Sequence, residues 1–321
     1  MMRYLKFLML AAGALFAAPG LAQNKVNIFI ATGPTTGVYY PMGGGMADVL
    51  TKFVPNLNAT AGTTDGSMAN LLLINQGKAD IALTMADASW DAFKGQEKFK
   101  GRPIAVRALM VLYPNRMHIV TVEGTGINKM ADLKGKRVST GAPNSATQIM
   151  AYRVLEAYGI NPEKDIIRER LDPGKSAEAI KDRKLDAFFW VGGVPTPAVT
   201  DLGATPGVKL KLIDHDEATE AMVKRYGPLY VKDTIPAKSY PGQTTPNRIA
   251  TVWNVLVADA KLPDQLAYEV VKTMFEHKED MIRVHKEATN FDYKFQTDAA
   301  AVIPFHPGAK KYFAEKGIKL N

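Results

Sequence analysis

Three short polar segments place hydroxyl groups just ahead of amphipathic stretches: Thr32-Gly33-Pro34-Thr35-Thr36-Gly37, Thr63-Thr64-Asp65-Gly66-Ser67 and Asn144-Ser145-Ala146-Thr147. Each follows an apolar run, so each falls where a strand ends and a helix opens, the place ligands occupy in α/β sheets. Small residues there leave backbone N–H groups free, and the start of a helix favours a negative charge. One such segment is also what a capped helix start looks like. Three of them, spread over both halves of the chain, point to a carboxylate held between them. Tyr39 and Tyr40 sit in the first turn of the first helix, and Trp190 ends the run Ala187-Phe188-Phe189-Trp190. These aromatics suit the apolar wall of a small-ligand pocket, although alternation commits Phe188 to the core. Asp87, after Met85-Ala86, has two roles open, accepting from a ligand amine or capping the helix that follows.

Catalytic arrangements are sparse by comparison. Gly174-Lys175-Ser176 has the tail of a phosphate-binding loop, but Glu169 stands where that loop needs glycine, so a solvated helix start is expected. Gly43-Gly44-Gly45 lacks dinucleotide-binding spacing and lies in a helical stretch, which points to close helix–sheet packing. No Gly-x-Ser-x-Gly elbow occurs, and none of His118, His215, His277, His285 and His306 pairs with another at helical metal-ligand spacing. Asp214-His215-Asp216 reads as a turn after a strand. The absence of cysteine excludes a disulfide scaffold, a thiolate metal site and a Cys nucleophile. No cofactor or metal is expected, and a secreted hydrolase acting on a small carboxylate remains the alternative to a binding protein.

The elements that must position these residues alternate. Strands are expected at 26–31, 57–62, 79–84 and 105–113, with helices at 38–53 and 67–76, which argues for a parallel sheet under helices. Pro114-Asn115 breaks the pattern, which restarts with strands at 119–122, 137–141, 185–191 and 207–213 and helices at 146–158 and 176–183. A Pro/Gly-rich stretch at 235–246 leads to a buried strand at 249–257, and helices at 263–276 and 308–316 close the chain. A length of 321 residues suits two domains. The pattern makes them lobe 1, residues 23–113 and 247–321, and lobe 2, residues 114–246, joined by two crossings that would form a hinge.

Arg3 and Lys6 precede a short apolar run, and Gly20-Leu21-Ala22 offers small residues for a cut, so residues 1–22 read as a signal peptide cleaved after Ala22. The run is about 12 residues where a membrane span needs roughly 20. A freely diffusing periplasmic protein is expected. The formal net charge of +8 loses two units with that segment, and the remaining cations form no basic aromatic stripe, so nucleic acid is not an expected partner.

The same segments resemble the TAXI-type solute-binding proteins of TRAP transporters. The similarity runs from Thr32-Gly33 through Gly37-Val38-Tyr39-Tyr40-Pro41, by way of Gly66-Ser67 with Asn70-Leu71, to Asp80-Ile81-Ala82-Leu83 and Asp87. It continues through Asp132-Leu133-Lys134-Gly135-Lys136-Arg137-Val138, Asp186-Ala187-Phe188-Phe189 with Gly192-Gly193 and Pro195, and Ile235-Pro236 with Tyr240 and Gly242-Gln243. It ends in Ile303-Pro304-Phe305-His306-Pro307-Gly308-Ala309 with Tyr312, Glu315 and Gly317. The resemblance implies a type II periplasmic binding-protein fold, two α/β lobes with a hinge and an interdomain cleft. It also implies a glutamate- or 2-oxoglutarate-like anion as ligand and an ion-driven TRAP permease as partner; separately, a monomer is expected. Asp65 and Asn144 stand where the family has glycine, and Ala146 replaces another, changes that weigh against a dicarboxylate. The candidate ligand-binding set is Thr35, Thr36, Tyr39, Thr64, Asp65, Ser67, Asp87, Asn144, Ser145, Thr147, Trp190 and Gly192.

Overall fold

A ten-stranded mixed sheet organises residues 25–320, the residues that the computed structural model describes. The expected signal peptide and its cut after Ala22 lie outside them. The chain opens with β1 (Val26–Ala31), α1 (Tyr39–Phe53), β2 (Leu57–Gly62), α2 (Ser67–Asn75) and β3 (Ile81–Met85), which passes directly into α3 (Ala86–Lys94). β1 pairs in parallel with both β2 and β3, as strands joined through helices do. α1 turns Met42, Met46, Val49 and Leu50 inward, the stripe of an amphipathic helix. Its glycines pack closely in two directions. A side chain on Gly43 would meet Thr32 and Leu83, while one on Gly45 would lie 2.6 Å from Val284.

After α3 come β4 (Val106–Val122), β5 (Arg137–Ser139), α4 (Ala146–Ala157), β6 (Ile167–Glu169), α5 (Pro173–Lys181), β7 (Ala187–Gly192) and α6 (Pro197–Ala204). They are followed by β8 (Leu210–Leu212), α7 (Ala218–Tyr226), β9 (Val231–Ile235) and β10 (Asn247–Asp259). Helices α8 (Asp264–Glu276), α9 (Lys278–Val284), α10 (Asp298–Ala301) and α11 (Pro307–Glu315) end the fold. The strand order is β2-β1-β3-β10-β4-β7-β5-β6, with β8 added to β4 and β9 to β10. β3 and β7 are buried along their whole length, which is why they read as unbroken apolar runs.

Two expectations change here. Pro114-Asn115 does not end a strand, because β4 is a single strand of 17 residues that carries straight through them. Its partner there is β10, with Pro114 opposite Trp253, and the ladder then skips, so that Val111 faces Val255. The skip leaves an extra residue on β4, a bulge that accommodates a residue with no N–H to donate. The boundary expected at 113/114 therefore falls inside β4, and the one at 246/247 falls at the start of β10. The sheet is also mixed rather than parallel. β4 leads outward, β10 leads back, and each runs antiparallel to its neighbours.

Candidate functional site

A narrow pocket lies where α1, α2 and α4 begin, against the middle of β4 and the end of β7. Its walls include Tyr39, Ser67, Tyr113, Asn115, Thr147 and Trp190, which line about 390 Å³ of space that is partly open to solvent. Of the expected residues, Tyr39, Asp65, Ser67, Ser145, Thr147, Trp190 and Gly192 line it together. The Trp190 indole lies against Gly37, where a side-chain carbon would come within 3.0 Å of the ring. Its Nε1 donates to Thr196 Oγ1 at 3.0 Å, fixing the ring's orientation. Tyr39 donates to Asn254 Oδ1, and burial pushes its phenol pKa up, so it stays a neutral donor.

The hydroxyls are more committed than their spacing implied. Ser67 Oγ accepts the Met85 N–H at 3.0 Å, and Ser145 caps α4, donating to Ala142 O at 2.7 Å and accepting from Gln148 N–H at 3.3 Å. Thr147 Oγ1 accepts from Val191 N–H at 3.4 Å. Thr64 lies outside the pocket. Its hydroxyl is 2.6 Å from Asn70 Oδ1 and 3.1 Å from Thr32 O, and accepts from Gly66 N–H at 2.9 Å. Thr35, Thr36 and Thr64, with Asp65, border an outer groove shared with Asp172, Lys175 and Asp201. Asn144 is exposed and left-handed, with φ of 61°, a conformation asparagine adopts more readily than most residues. Its carbonyl accepts from Ala69 N–H at 3.3 Å, which joins the starts of α2 and α4, and Thr36 O accepts from Ala198 N–H at 3.2 Å, which joins those of α1 and α6 beside the outer groove. Gly174-Lys175-Ser176 is a helix start, with Asp172 accepting from Lys175 N–H at 3.0 Å. Asp214 is held by Asn247 and Arg248 in the turn expected there.

Asp87 is not at the pocket. It is buried beside α4, where its carboxylate accepts from Tyr230 OH at 2.7 Å and lies 3.5 Å from Arg153. Arg153 also donates to Asp91 at 2.8 Å and to Tyr230 OH at 2.5 Å, and its guanidinium lies 4.3 Å from the centre of the Tyr226 ring. Burial raises the Asp91 pKa to about 6, opposed by Arg153 and reinforced by Asp87. Burial also disfavours the charge on Arg153, but Tyr230, Asp87 and Asp91 outweigh it and hold the cation firmly charged. This cluster ties α3 to α4.

Tyr113 and Asn115 were missed because Tyr113-Pro114-Asn115 reads as a linker. The available signal was two polar side chains, two residues apart, directly after the apolar run Ala108-Leu109-Met110-Val111-Leu112. Asn254, opposite the bulge, lies inside the strand expected at 249–257, where its polar side chain was not singled out.

The NMT1-like family model matches residues 30–317, nearly the whole described chain. The chain belongs to the NMT1-like family. Among solved structures, this NMT1-like chain is similar to the alkanesulfonate-binding protein SsuA from Xanthomonas axonopodis pv. citri bound to MOPS. That match has 15% identity and a TM-score of 0.50, and covers 91% of this chain and 85% of the other. A putative L-cystine ABC transporter from Listeria monocytogenes matches at 17% identity and a TM-score of 0.50, over 81% of this chain and 94% of that one. A periplasmic transporter structure matches at 11% identity and a TM-score of 0.54, over 84% and 88% of the two chains. The NMT1-like chain thus has the α/β fold of periplasmic binding proteins.

Proposed function

We propose that the protein is a periplasmic solute-binding receptor that captures a small organic carboxylate, glutamate- or 2-oxoglutarate-like, and delivers it to an ion-driven TRAP permease. The observation that carries this reading is the convergence of the starts of α1, α2 and α4 on one pocket. The first N–H groups of a helix have no partner within it and suit an anion. Small hydroxyl-bearing residues and an indole wall complete a pocket of the kind small solutes occupy. Among the described residues, no constellation needed for covalent catalysis lines it, and binding and release require none. Residues 23–113 with 247–321, and residues 114–246, would be the two lobes, opening about β4 and β10, and export would follow cleavage after Ala22. The TAXI-type resemblance supports the TRAP partner, while the fold alone would equally serve a receptor of another transporter class.

The test is a thermal-shift screen of the mature chain with amino acids, mono- and dicarboxylates, sulfonates and sugars. A ligand at about 100 times its dissociation constant should stabilise the protein by roughly 2.7 kcal/mol. A response confined to sugars or sulfonates would refute the ligand class, and chemical conversion of a bound carboxylate would refute a receptor without chemistry. Uptake in membrane vesicles should require an ion gradient and survive ATP depletion; the reverse would refute the TRAP partner.

A further inference from the structure

The floor of the pocket holds buried polar atoms with no partner in the protein. Tyr113 is fully buried and Asn115 is 1% exposed, both line the pocket, and Tyr113 OH and Asn115 Oδ1 make no hydrogen bond. Asn254, across the bulge, spends its Oδ1 on Tyr39 and leaves Nδ2 unpaired. Each buried polar group left unsatisfied is costly, so this floor is built to be completed by something that enters it.

We infer that the solute presents a neutral group that both donates and accepts, an amide or a hydroxyl, to Tyr113 and Asn115 and keeps its single carboxylate for the helix starts. This rests on the receptor reading and narrows its anion from a dicarboxylate to a monocarboxylate that carries a neutral polar group. Tyr113 OH can donate to a ligand oxygen, whereas Asn115 Oδ1 accepts only and needs a ligand N–H or O–H. A second carboxylate would set oxygen against oxygen at Asn115. No compensating cation is at hand, since the residues lining the pocket include no Lys or Arg. The nearby Arg116 is committed to Glu287 and Asp233, at 2.8 Å each. Glu287 itself adds negative charge near the floor: burial first, then the Tyr39 phenol and Glu287, hold the Tyr113 phenol protonated. An amide satisfies both groups with neutral hydrogen bonds and brings no charge to be neutralised.

Isosteric ligand pairs distinguish the possibilities on the unmodified mature chain. Titration calorimetry would compare glutamine with glutamate, the monoamide of glutaric acid with glutarate, and the monoamide of succinic acid with succinate. The monoamide should bind at least about tenfold more tightly in the pair that fits best, the factor expected of one satisfied hydrogen bond. Asn115→Leu should shrink that ratio, whereas Tyr113→Phe, which removes only a donor, should weaken both members of each pair. Equal or tighter binding of the dicarboxylate would overturn the inference while leaving a carboxylate receptor standing. Binding of no carboxylate in any pair would overturn both readings. An unchanged ratio in folded Asn115→Leu, or unchanged affinity for both members in folded Tyr113→Phe, would remove the floor from recognition. Should either variant fail to fold, the wild-type ratios alone support or overturn the inference.

Discussion

Replacing Arg153 with Met keeps most of the side-chain stem and deletes the charge that ties α4 to α3. Three contacts go at once: Asp91 at 2.8 Å, Asp87 at 3.5 Å and the Tyr230 hydroxyl at 2.5 Å. Arg153 is only 4% exposed, so water cannot replace the guanidinium without opening the packing. Removing one side of a buried ion pair costs about 3–5 kcal/mol. Asp87 keeps two donors, Tyr230 OH and Ala88 N–H, which places the loss toward the lower end at pH 7. The pH dependence has a definite sign. Asp91 already has a raised pKa of about 6, and losing Arg153 raises it further, so the folded variant holds a proton that the unfolded chain releases. The deficit should therefore be largest near pH 7 and shrink toward pH 5 as Asp91 becomes neutral in the fold. Urea unfolding at both values, followed by tryptophan emission and circular dichroism, measures it. Adding Asp91→Asn to Arg153→Met should recover part of the loss at pH 7. A loss below about 1 kcal/mol, or one equal at both pH values, would refute the reasoning.

Thr64→Ala should cost about 1–2 kcal/mol in urea unfolding and change solute affinity by less than about threefold, because its hydroxyl braces the loop through Asn70 and Gly66. A large affinity loss at unchanged stability would instead put Thr64 on the solute. Gly37→Val should push the indole of Trp190 from its seat, given ring atoms at 3.0 and 3.1 Å from the new carbon, for a cost of about 1–3 kcal/mol. Unaltered tryptophan emission and affinity would count against that wall. Burial holds His215 neutral, with a pKa lowered to about 4, so the unfolded chain takes up a proton between about pH 4 and 6.5 that the fold refuses, and stability falls on acidification through that window. His215→Asn should flatten the slope there by up to about 1.4 kcal/mol per pH unit; an unchanged slope would contradict this.

Much of the sheet was legible because its inner strands are apolar on both faces and its helices start at small polar residues. β1 and β2 fall at 26–31 and 57–62 as their patterns require. Short or charge-rich elements escaped: β6 has three residues, and α7 dilutes its buried stripe with Glu220, Lys224 and Arg225. At the site, sequence spacing located the helix starts but not the use of their hydroxyls. Whether Ser145 caps its own helix or faces a solute is a matter of a single rotamer. The Arg153 cluster joins residues more than 60 positions apart in the chain, a relation that no local pattern encodes. Tyr113 and Asn115 were obscured because proline usually ends a strand, and here a bulge lets the strand continue.

That bulge has a mechanical consequence. β4 and β10 form one hydrogen-bonded ribbon, and a ribbon under torsion yields first where its rungs are out of step. The ladder slips twice, between Trp253 and Val255 and between Leu256 and Val257, and the first slip is level with Tyr113 and next to the unpaired groups of the pocket floor. A solute that completed those hydrogen bonds would brace the ribbon at that slip, so occupancy and the ribbon's resistance to twisting would rise together.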